Sequence, residues 1–240
     1  MMTDTQATAQ LDNPIWAALT TGNKALAEGG PLAWRYPPDV APFAAIADRT
    51  ALSFEALATL VPPDGRIALA TVDPLVPPPA LVIDRQALLI QMVLNAPIAS
   101  VQSEPEHVVL GAPDMADMLD LTGRTRPGPF GPRTIEFGQY IGIRVKGALA
   151  AMAGERMRFG RFVEISGVCV DPDYRGKGYA AVLITRLARQ LQAQALTPML
   201  HVYEDNASAI ALYEKLGFAR RRTLHLTVLG AAQVTPTGVG

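Results

Sequence analysis

The chain contains the stretch FVEISGVCVDPDYRGKGYA at residues 162–180, and this stretch decides its fold. Its first nine residues are mostly apolar and rich in branched side chains, which predicts a buried strand that ends at Asp171. From Ala180 on, leucines recur every fourth residue, as on the apolar side of an amphipathic helix. These leucines are Leu183, Leu187 and Leu191. The stretch therefore predicts a strand, a short loop and a helix.

The loop between strand and helix combines two glycines with two cations. It contains Arg175, Gly176, Lys177 and Gly178. Glycines let a backbone turn sharply and point successive amide N–H groups at the space before a helix, which attracts phosphate. The positive end of the helix dipole disfavours cations there unless an anion is present. The loop predicts an anion site, although two glycines before a helix are also typical of a loop without a ligand.

Two types of phosphate loop fit these letters. From Gly176, the pattern Gly-x-Gly-x-x-Ala matches the dinucleotide fingerprint of nicotinamide-dependent oxidoreductases, with Glu204 as the acid that would bind the ribose. That fingerprint puts its first glycine at the end of the strand, whereas residues 171–175 intervene here. From Arg175, the letters are Arg-x-x-Gly-x-Ala, which resembles the pyrophosphate loop of the GCN5-related N-acetyltransferases, the GNAT family.

The segment after this helix resembles the same family in a second place. Residues 198–203 predict a short strand, Asn206 predicts a helix cap, and Gly217 lies where a left-handed residue ends a helix. Asn206 and Tyr213 are seven residues apart, about two helical turns, so they share one face. The run NASAIALYEKLGF at residues 206–218 resembles the second GNAT signature, and both signatures occur in the family's order and spacing.

The resemblance implies an α/β acyl-CoA N-acyltransferase fold, in which a mixed, twisted sheet is flanked by helices and CoA enters where two central strands separate. It extends over residues 107–230, which are predicted to form the acetyltransferase domain. The FR47-like branch of the family is the most similar one, through three short segments. These are residues 154–156, 164–169 and 171–178.

Residues 13–106 contain no motif of this family and are predicted to form an N-terminal lobe of unclear role. In relatives this region is often a degenerate copy of the acetyltransferase fold, and that alternative stays open. Residues 1–12 and 231–240 are predicted to be flexible ends.

Local patterns predict several further elements. Residues 42–60 have helical spacing, although Ser53 could equally start a second, shorter helix, and two later apolar stretches read as strand-like. The strand-like stretches are residues 66–72 and 80–94. In the second half, residues 111–119 predict a short helix, and the glycine- and proline-rich residues 123–132 predict a functional loop.

The composition is typical of a soluble protein without a polyanionic partner. The 240 residues are 49% hydrophobic and 18% charged, and the net charge is −1, which argues against nucleic acid or an anionic membrane surface as a partner. The single cysteine, Cys169, excludes an internal disulfide and agrees with a cytoplasmic location. Residues 1–10 lack the features of a signal peptide, and no apolar run approaches the roughly 20 residues of a membrane span. The histidines are scattered and predict no metal site.

The resemblance further implies transfer of an acetyl or other acyl group from acetyl-CoA to a primary amine of a small molecule or peptide, with a homodimer as an open alternative to a monomer. The glycine loop would hold the pyrophosphate, and the strand end would bind the pantetheine arm and polarise the thioester. Asn206 would bond to the pantetheine or the sulfur end, and Tyr213 would protonate the departing thiolate. The cofactor-binding positions of the loop and strand are Val168, Cys169, Val170, Arg175, Gly176, Lys177, Gly178, Tyr179 and Ala180.

The attacking amine must lose a proton, and three carboxylates are candidates for the base. Glu164 is the first, because a carboxylate within an apolar strand is costly unless it is paired or functional; Glu136 and Glu155 follow. A thiol nucleophile, Cys169 beside His201, and inert packing of that cysteine are both open. Two other functions also stay open: a non-catalytic acyl-CoA sensor, which would bind without turnover, and the oxidoreductase, which would prefer NAD to CoA.

Overall fold

The computed structural model describes residues 8–98 and 105–232, so the predicted flexible ends lie largely outside it. Its α-helices are α1 (Pro14–Thr20), α2 (Ala51–Leu60), α3 (Met115–Thr125), α4 (Tyr179–Ala193) and α5 (Ala207–Lys215). Its strands are β1 (Glu28–Gly30), β2 (Ala33–Arg35), β3 (Ala44–Ile46), β4 (Ile67–Thr71), β5 (Leu81–Val93), β6 (Val108–Leu110), β7 (Tyr140–Val145), β8 (Ala148–Phe159), β9 (Phe162–Val170), β10 (Thr197–Tyr203) and β11 (Ala219–Ala231).

Eight of these strands form one mixed sheet. Their order is β4-β11-β5-β10-β9-β8-β7-β6, and every neighbouring pair is antiparallel except β9 and β10. Strands β1, β2 and β3 form a separate three-stranded sheet. A mixed sheet with helices on its faces is the fold class that the two sequence signatures predicted.

Helix α4 and helix α1 belong to buried clusters on opposite faces of this sheet. The leucines of α4 are fully buried in one cluster with Val163 and Ile165 of β9. The preceding residue of β9, Phe162, belongs to the other cluster, together with Ile15 of α1 and Phe43. Because neighbouring side chains of a strand point to opposite faces, β9 is buried on both sides, as its nearly continuous apolar sequence predicted.

Strands from both sides of residue 106 share the main sheet. Strand β5 lies between β10 and β11, and β4 lies on the other side of β11. The predicted N-terminal lobe therefore contributes two strands to the same sheet as the predicted acetyltransferase domain. The division of the chain into two units, and the idea of a degenerate copy, stay predictions.

The structure corrects two helix predictions. Residues 42–60 do not form one helix, and the alternative of a shorter helix starting at Ser53 is closer to the structure. Helix α2 begins at Ala51, where the Thr50 side chain accepts a hydrogen bond from the Ser53 amide, and Ala44–Ile46 pairs with β2 instead. This short strand is buried in the structure, so tertiary pairing overrides its helical spacing. Helix α3 runs on to Thr125, so the predicted loop at residues 123–132 starts later.

Gly154 of β8 lies opposite Ser166 of β9 and beneath the buried ring of Tyr140, so it provides a test of the packing around β8 and β9. A Cβ atom at position 154 would overlap that ring. We expect Gly154→Ala to lower the free energy of unfolding by about 1–3 kcal/mol in urea titrations, because an overpacked core must shift.

Gly123→Ala is the matched control, because Gly123 is an exposed residue inside α3 with nothing within 4 Å of where a Cβ would stand. Alanine should stabilise that helix by up to about 1 kcal/mol. Equal effects of the two substitutions would contradict the packing described for Gly154.

Candidate active site

The parallel strands β9 and β10 pair over only three positions. Residues 162–164 pair with residues 197–199, and the two strands then separate. A cavity of about 920 Å³ opens between them and is lined by Ser166 and Val168 of β9 and by His201 and Tyr203 of β10. Two central strands that part in this way give the molecule a cleft in the middle of its sheet.

A β-bulge in β9 lies at the start of this cleft. Ser166 pairs with Gly154 and Cys169 with Met152, so two residues of β9, Gly167 and Val168, face a single residue of β8. Gly167 has a φ of +62°, which favours glycine. On the β10 side, residues 166–170 have no paired strand, so this edge can bind an extended, amide-rich ligand as an added strand.

The glycine loop lies at the beginning of α4 and lines the same cavity. Gly176 and Gly178 have φ values of +76° and +77°, and Gly178 is the residue before the first helical turn. No atom lies within 4 Å of where a Cβ would stand at either position, so the loop leaves open space in front of the helix. The first amide N–H groups of a helix have no partner within it, so this space suits an anion.

The structure brings most of the predicted loop residues to the cavity. Arg175, Gly176, Gly178, Tyr179 and Ala180 line it. Lys177 does not, and its ammonium group lies 4.9 Å from the centre of the Tyr174 ring.

Helix α5 brings Asn206 and Tyr213 to the same cavity. The Asn206 side-chain oxygen caps the helix by accepting a hydrogen bond from the Ala209 amide at 3.1 Å, which leaves its NH₂ group as the part available to a ligand. Burial raises the pKa of Tyr213 to about 12, so the phenol keeps its proton at neutral pH. The predicted helix end is confirmed, since Gly217 has a φ of +98° and the Phe218 amide bonds back to the Tyr213 carbonyl.

Glu164 is fully buried and ion-paired. Arg156 of β8 donates two hydrogen bonds to its carboxylate, at 2.7 and 2.5 Å, and the Nδ1 atom of His201 lies 2.8 Å from Oε1. Burial alone would raise the pKa of Glu164, but the charge of Arg156 and the contact with His201 outweigh burial and lower it to about 2. Of the two readings of this residue, paired or functional, the structure shows the pairing.

The other two candidate bases lie outside the cavity. Glu136 is on the surface in an ion pair with Arg133, at 2.6 Å. Glu155 is buried and bonded to Arg158 at 3.0 Å. Among the described residues that line the cavity there is no aspartate or glutamate. The structure therefore brings none of the three predicted carboxylates to the lining of the cavity.

Comparison with a solved structure shows the family. The crystal structure of a protein from Novosphingobium aromaticivorans, assigned to the GNAT acetyltransferase family, is 40% identical, covers 93% of this chain and 99% of its own length, and has a TM-score of 0.86. This chain belongs to the GNAT family. The sequence model of the acetyltransferase (GNAT) family matches residues 115–218. Family and fold class are confirmed, whereas the FR47-like branch stays a prediction.

Curated relatives of this GNAT chain share shorter segments with it. An acetyltransferase of Yersinia pestis is 43% identical over 58 residues, which are 24% of this chain and 41% of the relative, so the match spans less than half of that protein. The alanine N-acetyltransferase of ribosomal protein bS18 from Escherichia coli is 29% identical over 111 residues, which are 44% of this chain and 74% of that enzyme. These similarities do not define an acceptor for this chain.

The described parts of this acetyltransferase offer neither a cluster of metal ligands nor a helix suited to a bilayer. In residues 8–98 and 105–232, no three histidine, cysteine, aspartate or glutamate side chains are grouped as metal ligands. Over the same ranges, no helix has both the length and the apolar character that crossing a bilayer requires.

A chain of side-chain hydrogen bonds extends from Glu164 across the sheet of this GNAT protein. Gln91 of β5 accepts a bond from Arg221 with its oxygen, and its NH₂ group bonds to the Leu11 carbonyl and to the Nε2 atom of His201. Because Nε2 accepts from Gln91, the neutral His201 ring carries its proton on Nδ1 and donates it to Glu164. Nothing in the sequence marks Gln91 and Arg221 as members of this network, since they lie on strands far apart in the chain.

The thiol alternative does not fit this geometry. Burial raises the pKa of Cys169 to about 11, so the thiolate is scarce at neutral pH. Both ring nitrogens of His201 are occupied by Glu164 and Gln91, so His201 is not available to activate the thiol. Cys169 lines the cavity as a packing residue.

The sequence predicted that the first lobe, the loop at residues 123–132 and the β7–β8 hairpin build the acceptor pocket, but it did not mark which residues of the first lobe and of the end of α3 line the cavity. Pro42 and Phe43, the strands β4 and β5, and residues 125–129 all line it. Phe43 stacks on Arg156, whose guanidinium carbon lies 4.8 Å from the ring centre. The only sequence signal in this part was the glycine and proline content of residues 123–132, which predicted a functional loop.

The ion pair between Arg156 and Glu164 can be tested through its effect on the stability of the fold. We expect Glu164→Gln to lower the free energy of unfolding by about 3–5 kcal/mol at pH 7, because it leaves the buried guanidinium of Arg156 unpaired. The double variant Arg156→Met/Glu164→Leu should recover much of that loss. Glu214→Gln, which breaks an exposed pair with Arg220, is the matched control and should cost less than about 1 kcal/mol.

The same ion pair predicts a pH dependence. The pKa of Glu164 is about 2 in the folded chain and has an ordinary value of 4.5, so the unfolded chain binds the proton first as the pH falls. The stability difference between the unmodified chain and Glu164→Gln should therefore be constant above about pH 4.5 and shrink as the pH falls toward 2. A difference that stays constant throughout that range in urea titrations would contradict the assigned pairing.

Proposed function

We propose that this chain transfers an acetyl group from acetyl-CoA to a primary amine of a small molecule or peptide, which attacks the thioester directly. The observation that carries the proposal is the convergence of three features on one cavity. These are the unpaired edge of β9, the glycine loop at the beginning of α4, and Tyr213 on α5. Membership in the GNAT family supports the same reaction class.

The residues around the cavity fit the parts of acetyl-CoA. The backbone amides of residues 175–180 would hold the pyrophosphate, because they lie at the positive end of α4 with two left-handed glycines and open space before them. Val168, Cys169 and Val170 would pair with the amides of the pantetheine arm along the free edge of β9. The NH₂ group of Asn206 would donate a hydrogen bond near the sulfur.

In the proposed reaction, the amine nitrogen forms a bond to the thioester carbon, and the carbon–sulfur bond breaks. The bulge at Gly167 and Val168 would direct a backbone N–H group at the carbonyl oxygen, where negative charge develops. Tyr213 would donate its proton to the departing sulfur, since within the described chain its hydroxyl has no hydrogen-bond partner and its pKa of about 12 keeps it protonated. The neutral amine loses one proton as the amide forms, and the Tyr213 phenolate takes up one proton from water, so atoms and charges balance over the cycle.

The fate of that proton follows from the positions of the carboxylates. Glu164 is a weak base because Arg156 and His201 hold its pKa at about 2, and Glu136 and Glu155 lie outside the cavity. We therefore assign the base's role to none of them and propose that the amine gives its proton to water.

The first experiment is calorimetric titration of the purified protein with acetyl-CoA and, separately, with NAD. We expect acetyl-CoA to bind and NAD not to bind. Binding of acetyl-CoA without turnover of any amine would favour a sensor over an enzyme, and binding of NAD alone would overturn the proposed function.

Gly178→Ala tests whether the glycine loop holds the cofactor. We expect it to weaken acetyl-CoA binding at least about tenfold in the same titration, because its methyl group would stand in the space in front of the helix amides and its φ of +77° strains alanine. Gly147→Ala is the matched control, with a φ of +87°, equally open surroundings and a place in the β7–β8 turn outside the cavity. Equal losses of affinity would mean that backbone strain alone explains the effect.

Tyr213→Phe tests the acid. We expect turnover to fall about a hundredfold or more while the affinity for acetyl-CoA stays nearly unchanged, because only the transferred proton is lost. The matched control is Tyr36→Phe. It removes a buried hydroxyl that donates a hydrogen bond of 3.2 Å to Asn23 and does not line the cavity, so it should lower stability without changing turnover. Unchanged turnover in Tyr213→Phe would remove this residue from the mechanism.

A further inference from the structure

The charges around the cavity are all of one sign. Among the described residues that line it, five are arginines and none is an aspartate or glutamate. These arginines are Arg66, Arg85, Arg126, Arg156 and Arg175. In a chain whose net charge is −1, such an excess of positive charge is local to the cavity.

Two of the five arginines are paired with a carboxylate, and a third belongs to the glycine loop. Arg156 is paired with Glu164, Arg66 lies 3.2 Å from Asp84, and Arg175 belongs to the glycine loop proposed to hold phosphate. Arg85 and Arg126 have no carboxylate partner within the described chain. The guanidinium of Arg85 lies 5.1 Å from the centre of the Tyr203 ring, at the end of β10 where the cleft opens.

The two sides of the cleft differ in the polarity of the residues that line them. The glycine loop follows β9, whereas β10, β5, β11 and β4 form the other side. On that other side the lining residues are mostly apolar. They include Ala68, Ala70, Leu89, Leu226 and Val228. Arg85 is an exposed residue on the same side, so its charge stands next to these apolar residues, the apolar wall, and not on the side of the phosphate loop.

This arrangement discriminates between classes of amine. A polyamine or another multiply charged cation would enter a cavity that repels it and offers no carboxylate to pair with. A carboxylate would instead find an unpaired guanidinium, which binds it with two parallel hydrogen bonds. The neighbouring positive charges also favour the neutral form of an amine, which is the form that attacks, so they partly replace the missing base.

We propose that the acceptor is an apolar primary amine that itself carries a carboxylate, as a free amino acid with an apolar side chain does. Arg85 binds the carboxylate, Arg126 adds to the positive field, and the apolar wall holds the rest of the molecule. The inference rests on the proposed function. A carboxylate could also arrive on the acyl group of a dicarboxylic acyl-CoA, so the experiment must separate these two sources.

The experiment compares acceptors that differ only in the carboxylate. With saturating acetyl-CoA, kcat/KM is measured for L-phenylalanine and L-leucine, for their primary amides, and for spermidine. We expect kcat/KM for the acids to be at least about tenfold higher than for the amides and spermidine, since hydrogen bonds to charged groups are individually strong. The comparison is conservative, because the amides have less basic amines and so more of the attacking form.

Variants then test which arginine is responsible. Arg85→Gln should lower kcat/KM for the acids about tenfold and leave the amides and the KM for acetyl-CoA nearly unchanged. Arg49→Gln removes an exposed guanidinium that binds the backbone of residues 73 and 74 outside the cavity. It should leave kcat/KM unchanged for both the acids and the amides. An equal loss for acids and amides in Arg85→Gln would overturn the assignment of this residue.

Calorimetry with reaction products provides a readout that does not need turnover. N-acetyl-L-phenylalanine should bind the CoA-saturated protein at least about tenfold more tightly than its primary amide. If acetyl-CoA binds but the neutral or cationic acceptors and products are equal to or better than the acids, this inference is overturned and the proposed function stands. Faster turnover of succinyl-CoA with the amides than of acetyl-CoA with the acids would overturn it in favour of an anionic acyl group. Failure of acetyl-CoA to bind would overturn the proposed function and this inference with it.

Discussion

Two strands that part in the middle of a sheet lose their backbone hydrogen bonds from that point on, so a side-chain bond between them there helps to hold them together. In this chain the carboxylate of Glu164 does so at the last paired position of β9. It binds Arg156 on β8 and His201 on β10, and His201 lies two residues beyond the last paired residue of its strand, Met199. A side-chain bond thus spans the first position at which the strands are no longer joined. Val168 of the bulge, the two glycines of the loop and Tyr213 all line the cleft that begins beyond this bond.

The same ion pair explains an apparent contradiction in the chemistry. A buried carboxylate beside a candidate active site normally suggests a base, but Glu164 is bonded to Arg156 and His201, and Arg156 balances its negative charge. Among the described residues that line the cavity, all the charged side chains are therefore positive. In the proposed reaction, such a site would stabilise the phosphates at the loop and the oxyanion in the middle of the cleft, and it would favour amines that have already lost their proton.

The parts of this site that sequence predicts are those encoded locally. The leucine repeat of α4, the loop at Gly176 and Gly178, and the cap at Asn206 depend on neighbours within a few residues, and the structure contains all of them. The partners of Glu164 were not predictable, because Arg156 and Met157 of β8 lie at an irregularity in the β8–β9 register and such bulges leave no trace in hydrophobic spacing. The helix expected over residues 42–60 failed for a related reason, since pairing with β2 outweighs the local pattern of Ala44–Ile46.

The position of β5 between β10 and β11 has a consequence for how the chain assembles. The ribosome makes β5 long before the two strands that enclose it, so the main sheet cannot close until the last strand has been synthesised. When such distant segments pair, the chain loses loop-closure entropy before the new contacts contribute favourable free energy, and this slows folding. A fragment that starts after residue 106 would expose the facing edges of β10 and β11, and free strand edges promote aggregation. The wall proposed to select the acceptor and the strand proposed to bind the cofactor belong to one sheet, so each becomes complete only when the whole sheet has formed.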